Sequence, residues 1–195
     1  RVNMKIHTSS TEQTARLLSE LRLGRPVIIQ HEQNNGLIFA IETLKKDSVN
    51  EIKKIPRKSS HLTITARRAE TLNAIPYDGD IAKIRLPEYF SHDWLHATAN
   101  PALDLRFPLK GPFYTIRNEA SQISRAAVNL CKKAHLLPAA LVINLSEERF
   151  KNLYDAGILL QKSNDILETI SHSSSLQEVS KAILPLKGMT TSVVS

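Results

Sequence analysis

The chain has 195 residues, 42% of them apolar and 23% charged, which suits one globular domain with a sizeable core rather than a disordered segment. No stretch approaches the roughly 20 apolar residues of a helical membrane span, the polar start Arg1–Ser10 lacks the apolar core of a secretory signal, and the lone cysteine, Cys131, excludes an internal disulfide. The cytoplasm is therefore the expected compartment, and of the net charge of +7 the segment Thr43–Arg68 alone holds +6, with eight Lys and Arg against Asp47 and Glu51.

In chain order, Ser10 followed by Gln13 has the form of a capping box. It opens a helix with Leu17, Leu18 and Leu21 on one face, and Gly24 is the stop. Pro26–Ile29 and Leu37–Ile41 are short runs rich in β-formers. The polar turn Glu32-Gln-Asn-Asn-Gly36 between them predicts a hairpin. Asp47 is the expected cap of a short helix that turns Val49 and Ile52 inward and its lysines outward, and Pro56 ends it. A strand over Leu62–Thr65 leads into a short helix through Leu72, and Ile81–Leu86 alternates as a strand does.

Asn100–Pro112, with three prolines and a glycine, reads as a long surface connection, and Tyr114–Ile116 as a strand. The clearest helix runs from about Glu119 to His135. Ile123, Ala126, Ala127, Leu130, Cys131 and Ala134 follow an i, i+3, i+4, i+7, i+8, i+11 pattern there. Ala139–Leu145 fits a buried strand. After Ser146 come helical pieces, a polar break at Ser171–Ser175, a helix-like stretch through Ile183, and a linker that leads into Thr190–Val194. The fold class is α/β in the broad sense (α+β), a mixed sheet with helices packed around it.

Few side chains carry a recognisable chemistry. One cysteine and seven scattered histidines give no CxxC and no HExxH, so no metal site is expected. His92 and His96 are four apart, the spacing at which two residues could share a helix face, but Asp93-Trp94 between them supplies no metalloprotease glutamate. Cys131 lies on an apolar stripe, where a thiol is inert. Neither GxGxxG nor GxxxxGK[ST] occurs. The basic segment fits either a solvated helix face with its loop or a nucleic-acid surface. The absence of aromatic residues within it, which leaves no stacking platform, favours the first.

The order of segments resembles a family. Gly24-Arg-Pro-Val-Ile-Ile29 followed by Gly36-Leu-Ile-Phe-Ala-Ile-Glu42 looks like the opening hairpin of 3,4-dihydroxy-2-butanone 4-phosphate synthase, an enzyme of riboflavin biosynthesis acting on ribulose 5-phosphate. Leu62–Leu72 resembles that family's cysteine-bearing strand and next helix. Ala126-Ala-Val-Asn-Leu130 and Leu137-Pro-Ala-Ala-Leu-Val-Ile143 resemble its late helix and strand, so the similarity spans roughly Leu17 to Leu145. The departures fall on the family's working residues. The acidic hairpin loop becomes His31-Glu-Gln-Asn-Asn35, with one carboxylate. The cysteine falls at or near His61, the His-Thr-Glu of the late helix on Ile123, Ser124 and Arg125, and the next strand's glutamate on Asn144.

Asp104-Leu-Arg-Phe-Pro-Leu-Lys-Gly-Pro-Phe113 and Ala182–Gly188 look like the amino-terminal part of certain bacterial GTP cyclohydrolase II proteins, in which an eroded synthase-like domain precedes the zinc-binding cyclohydrolase domain. The resemblance implies a synthase-like domain over residues 1–150. Residues 151–195 would form a helical extension and linker toward a cyclohydrolase domain, absent from this chain, that carries the zinc. No catalytic residue and no cofactor is expected within these 195 residues. His61, Ser124 and Arg125 are the expected lining of a vestigial pocket, a small phosphate compound its candidate ligand, and a homodimer the expected assembly. The alternatives are a live synthase with His61 as base and Arg125 gripping a phosphate, and a basic RNA-binding module.

Overall fold

A computed structural model describes residues 8–117 and 121–171. The first helix, α1, spans Ser10–Arg22, and its cap is Ser9, one residue earlier than expected: the Ser9 side chain accepts from the Glu12 amide and the Glu12 carboxylate accepts from the Ser9 amide. Leu17, Leu18 and Leu21 are buried as the spacing predicts. At Gly24 φ is +76°, and a Cβ there would meet the Thr43 carbonyl at 2.5 Å, so only glycine ends the helix in this way.

The hairpin forms between β1, Val27–His31, and β2, Asn34–Ala40. Its turn is tighter than the sequence suggests. His31 pairs with Asn34, which leaves Glu32 and Gln33 as the loop, with Glu32 at φ 54°. Asn34, Asn35 and Gly36 thus belong to the ladder rather than to the loop.

Helix α2 spans Lys46–Ile52 and buries Val49 and Ile52. Its N-cap is Lys45, without a side-chain bond, so Asp47 lies within the first turn and does not cap it. A 3₁₀ turn, Arg57–Ser59, leads into β3, Ser60–Thr65. Thr65 then caps α3, Ala66–Thr71, by accepting from the Arg68 amide. Strand β4 is Ile81–Arg85. Tyr114–Ile116 forms a single bridge from Thr115 to Ile84 instead of a strand.

Helix α4, His92–Ala99, was not predicted as an element. Its Ser91 cap accepts from the Trp94 amide. Helix α5 spans Gln122–Lys133 and buries Ala126, Ala127, Leu130 and Cys131. The expected start at Glu119 lies outside the described residues. Strand β5, Ala140–Asn144, helix α6, Glu147–Asp155, and strand β6, Leu160–Lys162, follow, and residues 163–171 are helical.

The six strands form one mixed sheet in the order β4-β3-β5-β2-β1-β6, antiparallel throughout except where β6 runs parallel to β1. Because side chains alternate across a strand, each of the central strands feeds two cores. Ile28, Leu37, Phe39, Leu62, Ile64, Ile84, Leu141 and Ile143 meet Val49, Ile52 and Leu95 of α2 and α4. Val27, Ile29, Ile38, Ala40, Ala140 and Val142 meet the apolar stripes of α1 and α5.

The sheet does not stop at residue 150. Strand β6 pairs with β1, and Gln161 exchanges hydrogen bonds with Thr14 and Ser10 of α1. Ile166, fully buried, packs in the α1–α5 core. Residues 151–171 of the expected helical extension therefore pack as part of this sheet. The polar break, final helix and linker expected beyond them lie outside the described residues. No helix among the described residues is long and apolar enough to cross a membrane.

Candidate functional site

The α5-facing side of the sheet changes character from one edge to the other. On β1, β2 and β5 it carries aliphatic side chains. On β3 and β4 the same face carries His61, Thr63, Lys83 and Arg85, paired across the ladder as His61 with Arg85 and Thr63 with Lys83. Helix α5 covers the apolar part, and its first turn reaches only to the edge of the polar part. The gap is a cavity of about 770 Å³, bounded by the hairpin turn, the Arg57–Ser59 turn, β3, β4, the first turn of α5 and the end of β5.

His61 and Ser124 meet within it, His61 Nε2 lying 2.8 Å from Ser124 Oγ, with His61 8% exposed. Burial, with the Lys83 ammonium adding to it, pushes the His61 imidazole down to about 3, so the ring is neutral at ordinary pH. The third expected residue, Arg125, is placed differently. Its Nε lies 2.8 Å from Asp80 Oδ1 and its NH2 donates to the Asp78 carbonyl, so it fastens α5 to the turn before β4 and is not part of the cavity wall. Ser121 Oγ, bonded to Asp78 Oδ1 at 2.6 Å, makes the same connection.

Asn144 and Ile123 line the cavity as well. Ile123 packs so closely over the hairpin that a Cβ at Gly36 would lie 2.8 Å from its Cγ2. The positions onto which the resemblance maps the family's working side chains (His61, Ile123, Ser124, Asn144 and the hairpin turn) thus surround one space.

Four cationic wall residues, Arg57, Lys58, Lys83 and Arg85, lie beyond the expected pocket lining of His61, Ser124 and Arg125. Arg57 and Lys58 belong to the basic segment that read as a solvated face, and the structure divides that segment. Lys45, Lys46, Lys53 and Lys54 are exposed on or beside α2, whereas Arg68 is only 7% exposed. Its guanidinium forms a two-pronged bond to Asp104 at 2.6 and 2.7 Å and donates to the Ala97 and Thr98 carbonyls. Lys83, 2% exposed in a strand of aliphatic neighbours, lies 3.8 Å from Asp78. Burial lowers its pKa from the usual lysine value, Asp78 opposing and Arg125 reinforcing the shift. A lysine at the centre of an alternating strand is the signal that sequence reading passed over.

Two other candidates resolve simply. His92 and His96 lie side by side with ring centroids 4.2 Å apart, and His92 Nε2 sits 2.7 Å from the Leu44 carbonyl. Among the described residues, no three His, Cys, Asp or Glu are grouped as a metal site would need. Cys131 is fully buried, and burial pushes its thiol up to about 12, so it is inert.

No family model matches the chain. Among curated proteins it is 26% identical over 178 residues to "GTP cyclohydrolase-2" of Azospirillum brasilense, an alignment covering 89% of this chain and 46% of that protein. The chain thus spans less than half the length of that relative. Among solved structures it matches a 3,4-dihydroxy-2-butanone 4-phosphate synthase in complex with two magnesium ions, with TM-score 0.59, 13% identity, and coverage of 82% of this chain and 97% of the other. The synthase of Candida albicans matches with TM-score 0.58, 18% identity, and coverage of 85% and 99%. A two-domain synthase from A. baumannii matches with TM-score 0.55, 13% identity, and coverage of 78% and 56%.

Magnesium takes oxygen ligands, carboxylates foremost. None of the described residues lining this cavity carries a carboxylate, and Glu32, at the hairpin turn, is 80% exposed and lies 3.9 Å from His31 Nε2. The described lining residues do not fit magnesium. With its mixed six-stranded sheet and helices on both faces, the chain is an α+β domain with the fold of 3,4-dihydroxy-2-butanone 4-phosphate synthase.

Proposed function

We propose that this chain is a catalytically silent synthase-like domain of a GTP cyclohydrolase II polypeptide of riboflavin biosynthesis, with a structural or regulatory role. The observation that carries the reading is the chemistry of the cavity wall: four cations, neutral amides and hydroxyls, and no carboxylate among the described residues. Enolising a sugar phosphate needs a positioned base, and a metal to polarise the carbonyl. Ile123 stands where the resemblance places a histidine, and Asn144 where it places a glutamate.

A live synthase built on the residues present is less favoured. An imidazole that protonates only near 3 is a weak base, and His61 Nε2 is already engaged by Ser124. Arg125 is committed to Asp80 and to the Asp78 carbonyl. An RNA-binding module is less favoured too, because the basic segment is shared out between an outer helix face, the cavity and a buried ion pair. The proposed assembly is a homodimer, and the zinc of the cyclohydrolase reaction belongs to the proposed companion domain rather than to these residues.

The direct test is to incubate the purified chain with magnesium and ribulose 5-phosphate and to follow formate release. No release above the protein-free background is expected. Metal-dependent release at an enzyme-like rate, lost in His61→Gln, would establish the live-synthase reading instead.

A further inference from the structure

The wall that disfavours magnesium has a positive chemistry of its own. Lys83 and Arg85 are two residues apart on β4, hence on the same face and about 7 Å apart along the strand, while Ala82 and Ile84 between and beside them point into the opposite core. Arg57 and Lys58 come from the turn that precedes β3, the neighbour of β4. Two pairs of cations on adjacent elements therefore face one space. Arg57 is shared with Glu88 at 3.4 Å, an exposed partner on the outer side, and Lys83 lies 3.8 Å from Asp78.

Among these cations sit neutral groups that donate hydrogen bonds. Asn34, Asn35, Gln122 and Asn144 add amides. Among the described residues no Phe, Tyr or Trp lines the space, so a nucleobase finds no large stacking platform there. The volume of about 770 Å³ lies in the range of small-molecule sites and far exceeds one phosphate ion.

We propose that this cavity is a receptor for an oligophosphate group, two or more linked phosphates, held directly by Arg57, Lys58, Lys83 and Arg85 without a bridging divalent cation. The inference rests on the silent-domain reading and deepens it by naming the ligand chemistry of the same pocket. A single phosphate reaches one pair of cations. A diphosphate or triphosphate spans both pairs, accepts from the amides, and brings the charge that four cations neutralise. Lysine and arginine here take the neutralising part that a magnesium ion plays where carboxylates are available.

Calorimetric titration of the whole chain with inorganic phosphate, pyrophosphate, tripolyphosphate and citrate tests this, in excess EDTA at a salt concentration of about 150 mM. The expected order is tripolyphosphate tighter than pyrophosphate, with phosphate weakest, and one site per chain. Lys58→Gln and Arg85→Gln, both at exposed positions that the fold does not depend on, should each weaken pyrophosphate binding about tenfold, equivalent to ~1.4 kcal/mol. The pair Lys53→Gln and Lys54→Gln, just past the end of α2, should change it less than about twofold, because those side chains lie outside the cavity.

No heat with pyrophosphate at millimolar concentration, binding that requires magnesium, citrate binding as tightly as pyrophosphate, or equal losses in the Lys53 and Lys54 variants would each overturn the proposal. Formate release is the separate readout of the silent-domain reading. Its appearance would end that reading, whereas failure of oligophosphate binding alone would leave it standing.

Discussion

His61 shows how one residue takes its properties from a packing arrangement. In the unfolded chain its imidazole protonates near 6.5, and in the folded chain near 3, because burial between β3 and α5 penalises the charged ring and Lys83 adds repulsion. Between those two values the unfolded state binds the extra proton, so stability falls as pH drops through that window and is unaffected above it. Urea unfolding at about pH 7.5, 6 and 5 should show the parent losing up to ~1.4 kcal/mol per pH unit more than His61→Gln below 6.5. Equal slopes for the two proteins would show that the ring is solvated or already charged in the folded state. The histidine was legible in the sequence as the residue standing where the resemblance puts a cysteine. Its neutrality was not legible, because Ser124, 63 positions away, and the strand partners create it.

Among the elements, the connection over residues 100–112 is the clearest case of a segment held by charge. It carries Leu105 at 99% and Leu109 at 96% exposure, so apolar burial does little to fix it. Asp104 is the anchor instead. Its carboxylate accepts both prongs of the buried Arg68 guanidinium and, at 2.8 Å, the Lys110 ammonium, whose Nζ also donates to the Phe107 carbonyl. The Arg68 bonds, with Lys110 assisting, hold the Asp104 carboxyl well below the usual carboxylate range.

A depressed carboxylate contributes stability above its unfolded value of 3.8, and that contribution is lost as pH falls through the folded value. Asp104→Asn should therefore lower the midpoint of thermal unfolding clearly at neutral pH. The gap to the parent should shrink steadily as pH falls below about 4. A gap that stays constant on acidification would mean that the carboxylate's shape, not its charge, holds the connection. The proline-rich composition marked this segment as a connection, but the partner of Asp104 lies 36 residues upstream in a segment that read as solvated.

The whole molecule poses the question of where the cooperative unit ends. The synthase resemblance read from the sequence spans roughly Leu17 to Leu145, yet β6 extends the sheet and Ile166, 0% exposed, closes the α1–α5 core. His31 Nδ1 lies 2.8 Å from Ser163 Oγ, which joins the cavity's hairpin to the helix over residues 163–171. If these residues belong to the unit, Ile166→Ala removes a fully packed side chain and should destabilise the whole domain by about 2–5 kcal/mol, in a single transition. Chemical denaturation reads this directly. An unchanged midpoint would mean that the segment melts independently of the sheet.

Taken alone, the sequence determined what depends on spacing between near neighbours. The 3.6-residue repeat of Ile123 to Ala134, the β-forming apolar runs of the hairpin, the alternation of Ile81–Leu86 and the stop at Gly24 are local patterns, and each appears in the structure as an element or its end. The same local logic misplaced caps by one or two residues and overlooked β6, whose Leu160-Gln-Lys162 has no alternation to announce it and is a strand only because β1 offers its edge. The cavity was decided by tertiary structure. The strand order β4-β3-β5-β2-β1-β6 sets β3 beside β5, some eighty residues apart in the chain, and lays the start of α5 across both. Only that arrangement turns Arg57, Lys58, Lys83 and Arg85 toward one space, because charges that converge across a sheet carry no signature along the chain.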